Sequence, residues 1–410
     1  MTLGYLHVGA SEHGVHRYGA LLAQAARGHL EGDVQEAKLT FSGTAQDAGR
    51  IDAALNALAE ADVLHVQYEP AVWGGSAAAQ NVTHFVRHVQ SPYVVTVHDA
   101  RDGYGVAARL KRLWAARNAA QSSRKGTGSA EKNTSGGYAG TAPWTAGYAS
   151  MRRAWQFWHL ERSNAQATRQ MMHGAAAALV CTAPEQQRLA AVSGTTPLAV
   201  IPHFVEARAL PDATAARAAL GLADAEPVVT VLGFIHRQKG HDRVLRALPH
   251  LPDTAQLLFV GAPSDGEGRF ASELRVDAEA LGVAERMRIT GYVDETTLNR
   301  YLAATDVAVC PFREAAASGS LSTWIAAGRP LVVSDLPLFA PYQAAAPEAV
   351  RIVADAENGA AWADAIRDQH ATLAAGVGSV GALRNLQTRL ALPTIIQRHM
   401  RWYTRAAPAS

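Results

Sequence analysis

Residues 228–249 read Val228-Val-Thr-Val-Leu232-Gly233-Phe-Ile-His-Arg237-Gln-Lys239-Gly240-His-Asp242-Arg-Val-Leu-Arg-Ala-Leu248-Pro249, a strand, a glycine turn and a helix in sequence. Val228–Leu232 is a short apolar and β-branched run, which suits a strand buried on both faces. A glycine and a basic loop follow, then helical spacing over Asp242–Leu248, stopped by Pro249. Strand, glycine turn and helix together make one unit of a parallel α/β sheet. The same grammar recurs downstream in Leu257–Val260 before Gly261, Arg288–Thr290 before Gly291, Val307–Cys310 and Leu331–Val333. Upstream it recurs in Leu3–Val8 with helical spacing over Val15–Arg27, then in Val63–Gln67, Tyr93–His98 and Ala178–Cys181. Two consecutive series imply two Rossmann-like domains, residues 1–203 and 204–390, with Val205–Pro227 as the linker region. The amphipathic stretch Thr394–Arg405 predicts a C-terminal helix within 391–410 that packs back on the first domain.

A chain of 410 residues is long for one core and suits two domains. Hydrophobic residues at 48% and charged residues at 18% exclude a disordered chain, and a net charge of +2 does not by itself speak for or against nucleic acid or membrane. Cys181 and Cys310 each end an apolar run, so both read as buried strand residues rather than a disulfide or metal pair. The start, MTLGYLHVGASEHG, reads as strand and loop rather than a secretory signal. No run of about 18 apolar residues is present. The expected compartment is therefore cytoplasmic. Gln121–Gly147, rich in Gly, Ser and Thr, predicts a mobile loop.

Four places could carry chemistry. In the first, Gly9 to Tyr18, Gly14 sits at a strand-to-helix turn where backbone can approach a ligand. The three-glycine dinucleotide spacing is absent, which argues against a nicotinamide oxidoreductase. In the second, His98 stands at a strand's C-terminal end, where open α/β sheets bind ligands; it could meet a sugar hydroxyl or move a proton, or simply pair with Asp99. The third is the loop Gly233–Asp242, whose Arg237 and Lys239 suit a diphosphate. In the fourth, Pro311–Pro330, the turn Ser318, Gly319, Ser320 and Leu321 opens a helix and offers free N–H groups to an anion, with N-capping as the plain alternative.

With these residues in place, the sequence resembles the retaining GT-B glycosyltransferases, the group that includes many bacterial mannosyl- and glucosyltransferases. The resemblance runs along most of the chain. It rests on His13-Gly14-Val-His-Arg17-Tyr18, Asp62-Val-Leu-His65-Val-Gln-Tyr68, Val95-Thr-Val-His98-Asp99 and Ile201-Pro202-His203 in the first half. In the second half it rests on Gly233 through Gly240, Gly291-Tyr-Val-Asp294-Glu295, Asp306-Val-Ala-Val309 and Ala326-Ala-Gly328-Arg-Pro330. The order and spacing of these pieces carry it; no single one is diagnostic. The resemblance implies a GT-B fold, α/β with two Rossmann-like domains facing across a cleft. It implies Lys239 on the donor phosphates, Gly14 near donor and acceptor, His98 near the transferred sugar, and Gly291, Tyr292 and Val293 around the base. Ser318–Leu321 resembles the family's phosphate cradle. Two departures stand out: Phe234 takes the place of an Arg after Gly233, and Thr323 the place of a ribose-binding Glu. A second family Glu would fall at Ala315, with Glu314 one residue early.

The implied activity is transfer of a sugar from a nucleotide diphosphate, UDP- or GDP-linked first, to a hydroxyl of a glycan, lipid-linked or small-molecule acceptor. Retention and independence of metal or other cofactor are expected. His98, Lys239, Arg237 and Glu314 are the catalytic candidates; Gly14, Gly233, Lys239, Tyr292, Val293 and Ser318–Leu321 would hold the donor. A phosphorylase, an epimerase and a non-catalytic accessory subunit on the same fold are the alternatives. The basic residues Arg109, Lys111, Arg112, Arg117, Arg124, Lys125, Lys132, Arg152 and Arg153, with Trp114, Trp144, Trp155, Phe157 and Trp158, suit peripheral contact with an anionic membrane, against a plain solvated loop. Nucleic acid is not expected as a partner.

Overall fold

The computed structural model describes residues 1–98 except 12 and 45, and 159–408 except 224, 265, 315–317 and 375–378. The Gln121–Gly147 loop and the basic, aromatic segment from Arg109 to Trp158 lie outside the described residues.

Two six-stranded parallel sheets organise the chain. The first contains β1 (Leu3–Val8), β2 (Val34–Leu39), β3 (Val63–Tyr68), β4 (Tyr93–Val97), β5 (Ala177–Val180) and β6 (Leu198–Val200), in the order β2-β1-β3-β4-β5-β6. Its helices are α1 (Gly14–Arg27), α2 (Asp47–Asn56), α3 (Ala78–His88), α4 (residues 159–173) and α5 (Ala183–Ala190). The second contains β7 (Val228–Leu232), β8 (Gln256–Val260), β9 (Met287–Ile289), β10 (Val307–Cys310), β11 (Leu331–Ser334) and β12 (Val350–Val353), in the order β12-β11-β10-β7-β8-β9. Its helices are α6 (Ala213–Leu220), α7 (His241–Leu245), α8 (Gly268–Ala280), α9 (Glu295–Ala304), α10 (Gly319–Ala326), α11 (Ala340–Ala345) and α12 (Gly359–Ala374). Two further helices, α13 (Ser379–Leu390) and α14 (Leu392–Ala406), end the chain.

The central strands are buried throughout, as β1, β3 and β4 show, because helices cover both faces of a parallel sheet. Strand order reverses between β1 and β3 in the first sheet and between β7 and β10 in the second. Ligand crevices of open α/β sheets lie at such switch points, beyond the strands' carboxyl ends. The linker region carries a helix of its own: Asp212 caps α6, accepting from Ala215 N at 2.9 Å, and Gly221 closes it in a left-handed conformation at φ 67°.

One apolar cluster joins the halves, running from Leu3, Tyr5 and Leu22 through Phe204 and Val205 to Trp324, Leu386, Ile395 and Tyr403. Helix α14 reaches the first sheet: Tyr403 Oη lies 3.1 Å from Tyr5 Oη and 2.7 Å from His65 Nδ1. Each fully buried side chain in that seam contributes about 1.5–3 kcal/mol. The two domains are therefore held by packing, not by surface charge alone. Cys181 and Cys310 are both free and buried. Among the described residues no helix is long and apolar enough to cross a membrane.

Candidate active site

In the second domain the switch point brings the loop after β7 against the turn after β10. Gly233 leaves β7 at φ 110°, and a Cβ there would lie 2.9 Å from Lys239 Nζ. Gly240 has φ 69°, and a Cβ would stand 2.0 Å from Pro311 O, so only glycine lets the two loops pass this closely. Arg313 fixes the arrangement through two bonds to Asp242, at 2.7 and 2.8 Å, while Arg243 donates to Phe312 O at 2.9 Å.

These contacts place Lys239 Nζ 3.0 Å from Ser320 Oγ, 3.3 Å from Leu232 O and 4.6 Å from the centre of the Phe312 ring. Burial lowers the Lys239 pKa from 10.5 to about 8, yet the ammonium has no carboxylate among these contacts. Helix α10 starts beside it. Ser318 caps the helix, its Oγ accepting from Leu321 N at 3.2 Å and lying 3.1 Å from Ser320 Oγ. A cation and the positive end of a helix thus converge at one point.

The remaining second-domain candidates lie around this point. Arg237 is exposed; its guanidinium is paired with Glu273 and covers the Phe270 ring at 4.6 Å, so in this conformation it does not join Lys239. Glu314 is exposed, next to residues 315–317, which lie outside the described set. Tyr292 is 86% exposed and Phe234 62%, so both present aromatic surface beyond the strand ends. Val293 is partly buried against the cluster around Leu258 and Val260. Thr323 Oγ1 donates to Gly319 O at 3.0 Å, which leaves its hydroxyl engaged within the helix.

In the first domain Gly14 opens α1 on an exposed turn; a Cβ there would meet nothing within 4 Å. His98 follows β4, with its ring 5.0 Å from Tyr18, edge to face. Tyr18 also lies 4.8 Å from His203 at the domain junction, and Ser322 of α10 reaches His203 Nδ1 at 3.4 Å. Burial, with smaller contributions from His203 and His13, lowers the His98 pKa to about 3. His98 is therefore neutral at physiological pH.

A buried chain of side chains fixes its tautomer. His98 Nε2 donates to Gln67 Oε1 at 2.7 Å. The Gln67 amide then donates to His65 Nε2 at 3.2 Å, which also accepts from Thr96 Oγ1 at 2.8 Å. His65 must therefore carry its proton on Nδ1, which donates to Tyr403 Oη at 2.7 Å. The result is a His98 whose Nδ1 lone pair is held as an acceptor. The signal was present in β3: His65 and Gln67 alternate as polar residues inside an apolar strand, and buried polar groups need partners.

A neutral acceptor on one domain and a cation with a helix end on the other make a candidate two-domain site, suited to a polar, anionic ligand. Residues 226–371 match the family described as Glycosyl transferases group 1. A D-inositol 3-phosphate glycosyltransferase of Mycobacterium sp. (strain KMS) is 40% identical over 101 residues, which is 24% of this chain and 23% of that protein. The match thus spans about a quarter of the curated relative. Sucrose-phosphate synthase from Thermosynechococcus elongatus has the same fold over 99% of this chain and 98% of its own, with a TM-score of 0.69 at 16% identity. HepE of Anabaena, in complex with UDP, gives 0.65 at 15% identity over 98% of this chain and 99% of its own. The chain has the GT-B fold. The sequence similarity to glycosyltransferases of group 1 lies in the second domain.

Proposed function

We propose that the protein transfers a sugar from a nucleotide diphosphate to an acceptor hydroxyl, with the donor on the second domain and the acceptor on the first. The observation that carries this reading is Lys239 Nζ, 3.0 Å from Ser320 Oγ at the start of α10 and, among the described residues, without a carboxylate contact. Such a pairing stabilises negative charge that grows on a leaving diphosphate, and preorganised electrostatics of this kind is usually the largest catalytic term.

In the proposed reaction the bond from the anomeric carbon to the diphosphate oxygen breaks, and its electron pair stays on the diphosphate. The acceptor oxygen forms its bond on the same face of the sugar, and its proton passes to the departing phosphate oxygen. The anomeric configuration is thereby retained. Lys239 and the α10 amide groups supply the positive charge, so the transfer itself needs no metal ion. A histidine with a pKa of about 3 is a poor proton acceptor, so His98 serves as an acceptor for a sugar hydroxyl rather than as a general base. UDP and GDP sugars are the leading donors; HepE, of the same fold, holds UDP.

The test is the melting temperature against UDP-, GDP-, ADP- and dTDP-sugars, with NAD and NADP as controls. A ligand that binds only the folded chain raises it. A shift with one nucleotide sugar, followed by its consumption with an acceptor, supports transfer. No shift with any of them favours the accessory-subunit reading, which Phe234 and Thr323 motivate: one replaces a cation with an exposed ring, and the other's hydroxyl is engaged on Gly319 O.

A further inference from the structure

We infer that Asp52, His84 and His88 form a binding site for one divalent transition-metal ion of the zinc class, remote from the cleft. His84 and His88 are four apart on α3, so both project from one face of the helix. Their rings stack, with centroids 4.1 Å apart and planes 22° from parallel. Asp52 of α2 completes the set, its Oδ1 lying 2.7 Å from His84 Nε2. One ligand atom from each of the three lies within 4.8 Å of the others. An ion bound tetrahedrally at about 2.0–2.2 Å holds its ligands roughly 3.4 Å apart, so small side-chain rotations close the site.

Two further features fit a metal rather than a simple ion pair. His88 Nδ1 donates to His84 O at 2.8 Å, which fixes the tautomer and leaves the Nε2 lone pair to bind an ion. Histidine ligands are commonly oriented by such a bond from the second ring nitrogen. An ion pair between His84 and Asp52 alone does not account for the second imidazole stacked on the first. A shared cation instead draws both lone pairs and the carboxylate together. Two imidazoles and one carboxylate favour zinc, nickel or copper over magnesium or calcium.

The site is open to solvent: His88 is exposed, and Asp52 and His84 are partly so. Helix α3 leads into the start of β4, so its last turn, with His88, lies toward the amino ends of the strands, away from the carboxyl-end cleft. The ion would clip α2 to α3, and solvent would complete its coordination. The buried Cys181 and Cys310 offer no competing thiolate at the surface.

Calorimetric titration of ZnCl2 into the metal-stripped full chain tests this, with MgCl2 as control and with His88→Ala and Asp52→Asn as variants. The expected result is one zinc per wild-type chain, binding at least about tenfold weaker in each variant, and no magnesium binding. No zinc binding by the wild type, equal binding by His88→Ala, or magnesium binding as tight as zinc would each overturn the proposal. His88 is exposed, so its variant should melt with the wild type, and Asp52→Asn provides an independent check that keeps the side-chain volume.

Discussion

Replacing Lys239 with methionine keeps the aliphatic stem against Phe312 and removes the charge. With a pKa of about 8, roughly ten chains in eleven carry the ammonium at pH 7. A unit charge about 4 Å from a phosphate oxygen, at an effective dielectric constant of ~20, is worth ~4 kcal/mol. At about 1.36 kcal/mol per factor of ten, that would be ~10³ in rate if all of it were felt in the transition state. Part of the attraction is already present in the bound donor, so the expected loss in kcat/KM is about 10²–10³. Burial opposes the charge in the free protein, so the variant should melt at or above the wild-type temperature. The assay is the initial rate of nucleotide release from the cognate sugar nucleotide with its acceptor, beside a melting curve. A variant within about threefold of wild type, with an unchanged melt, would refute the placement of the diphosphate at Lys239.

The same lysine predicts a pH dependence of opposite sign in two measurements. Activity as kcat/KM should fall as pH rises through about 8, where the ammonium is lost. Its folded pKa lies below the unfolded 10.5, so between about 8 and 10.5 the unfolded chain binds more protons and this group's contribution to stability rises with pH; denaturant unfolding at the two ends reads it. Tyr403→Phe removes the acceptor of His65 Nδ1 and leaves a buried donor unpaired, for an expected loss of about 1–3 kcal/mol in urea unfolding. Gly240→Ala places a methyl 2.0 Å from Pro311 O at φ 69°, so it should cost more than about 1 kcal/mol and weaken nucleotide binding, both measurable by melting with and without ligand. Arg17→Ala breaks exposed pairs to Glu206 and Glu295 and should shift stability by less than about 1 kcal/mol.

The strands that escaped the sequence share a position in the sheet. Val228–Leu232, Val307–Cys310 and Leu3–Val8 are central or near-central and buried, so each reads as a mostly apolar run without charged residues. The missed ones are β2, β6 and β12, all at sheet edges. Val34-Gln-Glu-Ala-Lys-Leu39 alternates buried and exposed residues along its length, so its charged positions mask the strand. Helix α6 was hidden in the linker region because eight residues of mostly alanine carry little periodicity. The Lys239–Ser320 convergence was legible as two motifs at strand ends, because topology dictates that β7 and β10 are neighbours at a switch point. Arg237 stands apart because its partners, Glu273 and Phe270, come from a helix more than thirty positions away, which no local motif announces. The tautomer of His98 was equally out of reach, since it is set by Tyr403 at the far end of the chain.

The decisive measurement is a crystal structure of the protein with the nucleoside diphosphate that raises its melting temperature. The diphosphate is expected between Lys239 Nζ and the first amide groups of α10, within hydrogen-bond distance of both, with the base near Tyr292. A diphosphate bound elsewhere on the chain, with Lys239 still resting on Ser320 and Leu232, would contradict that placement.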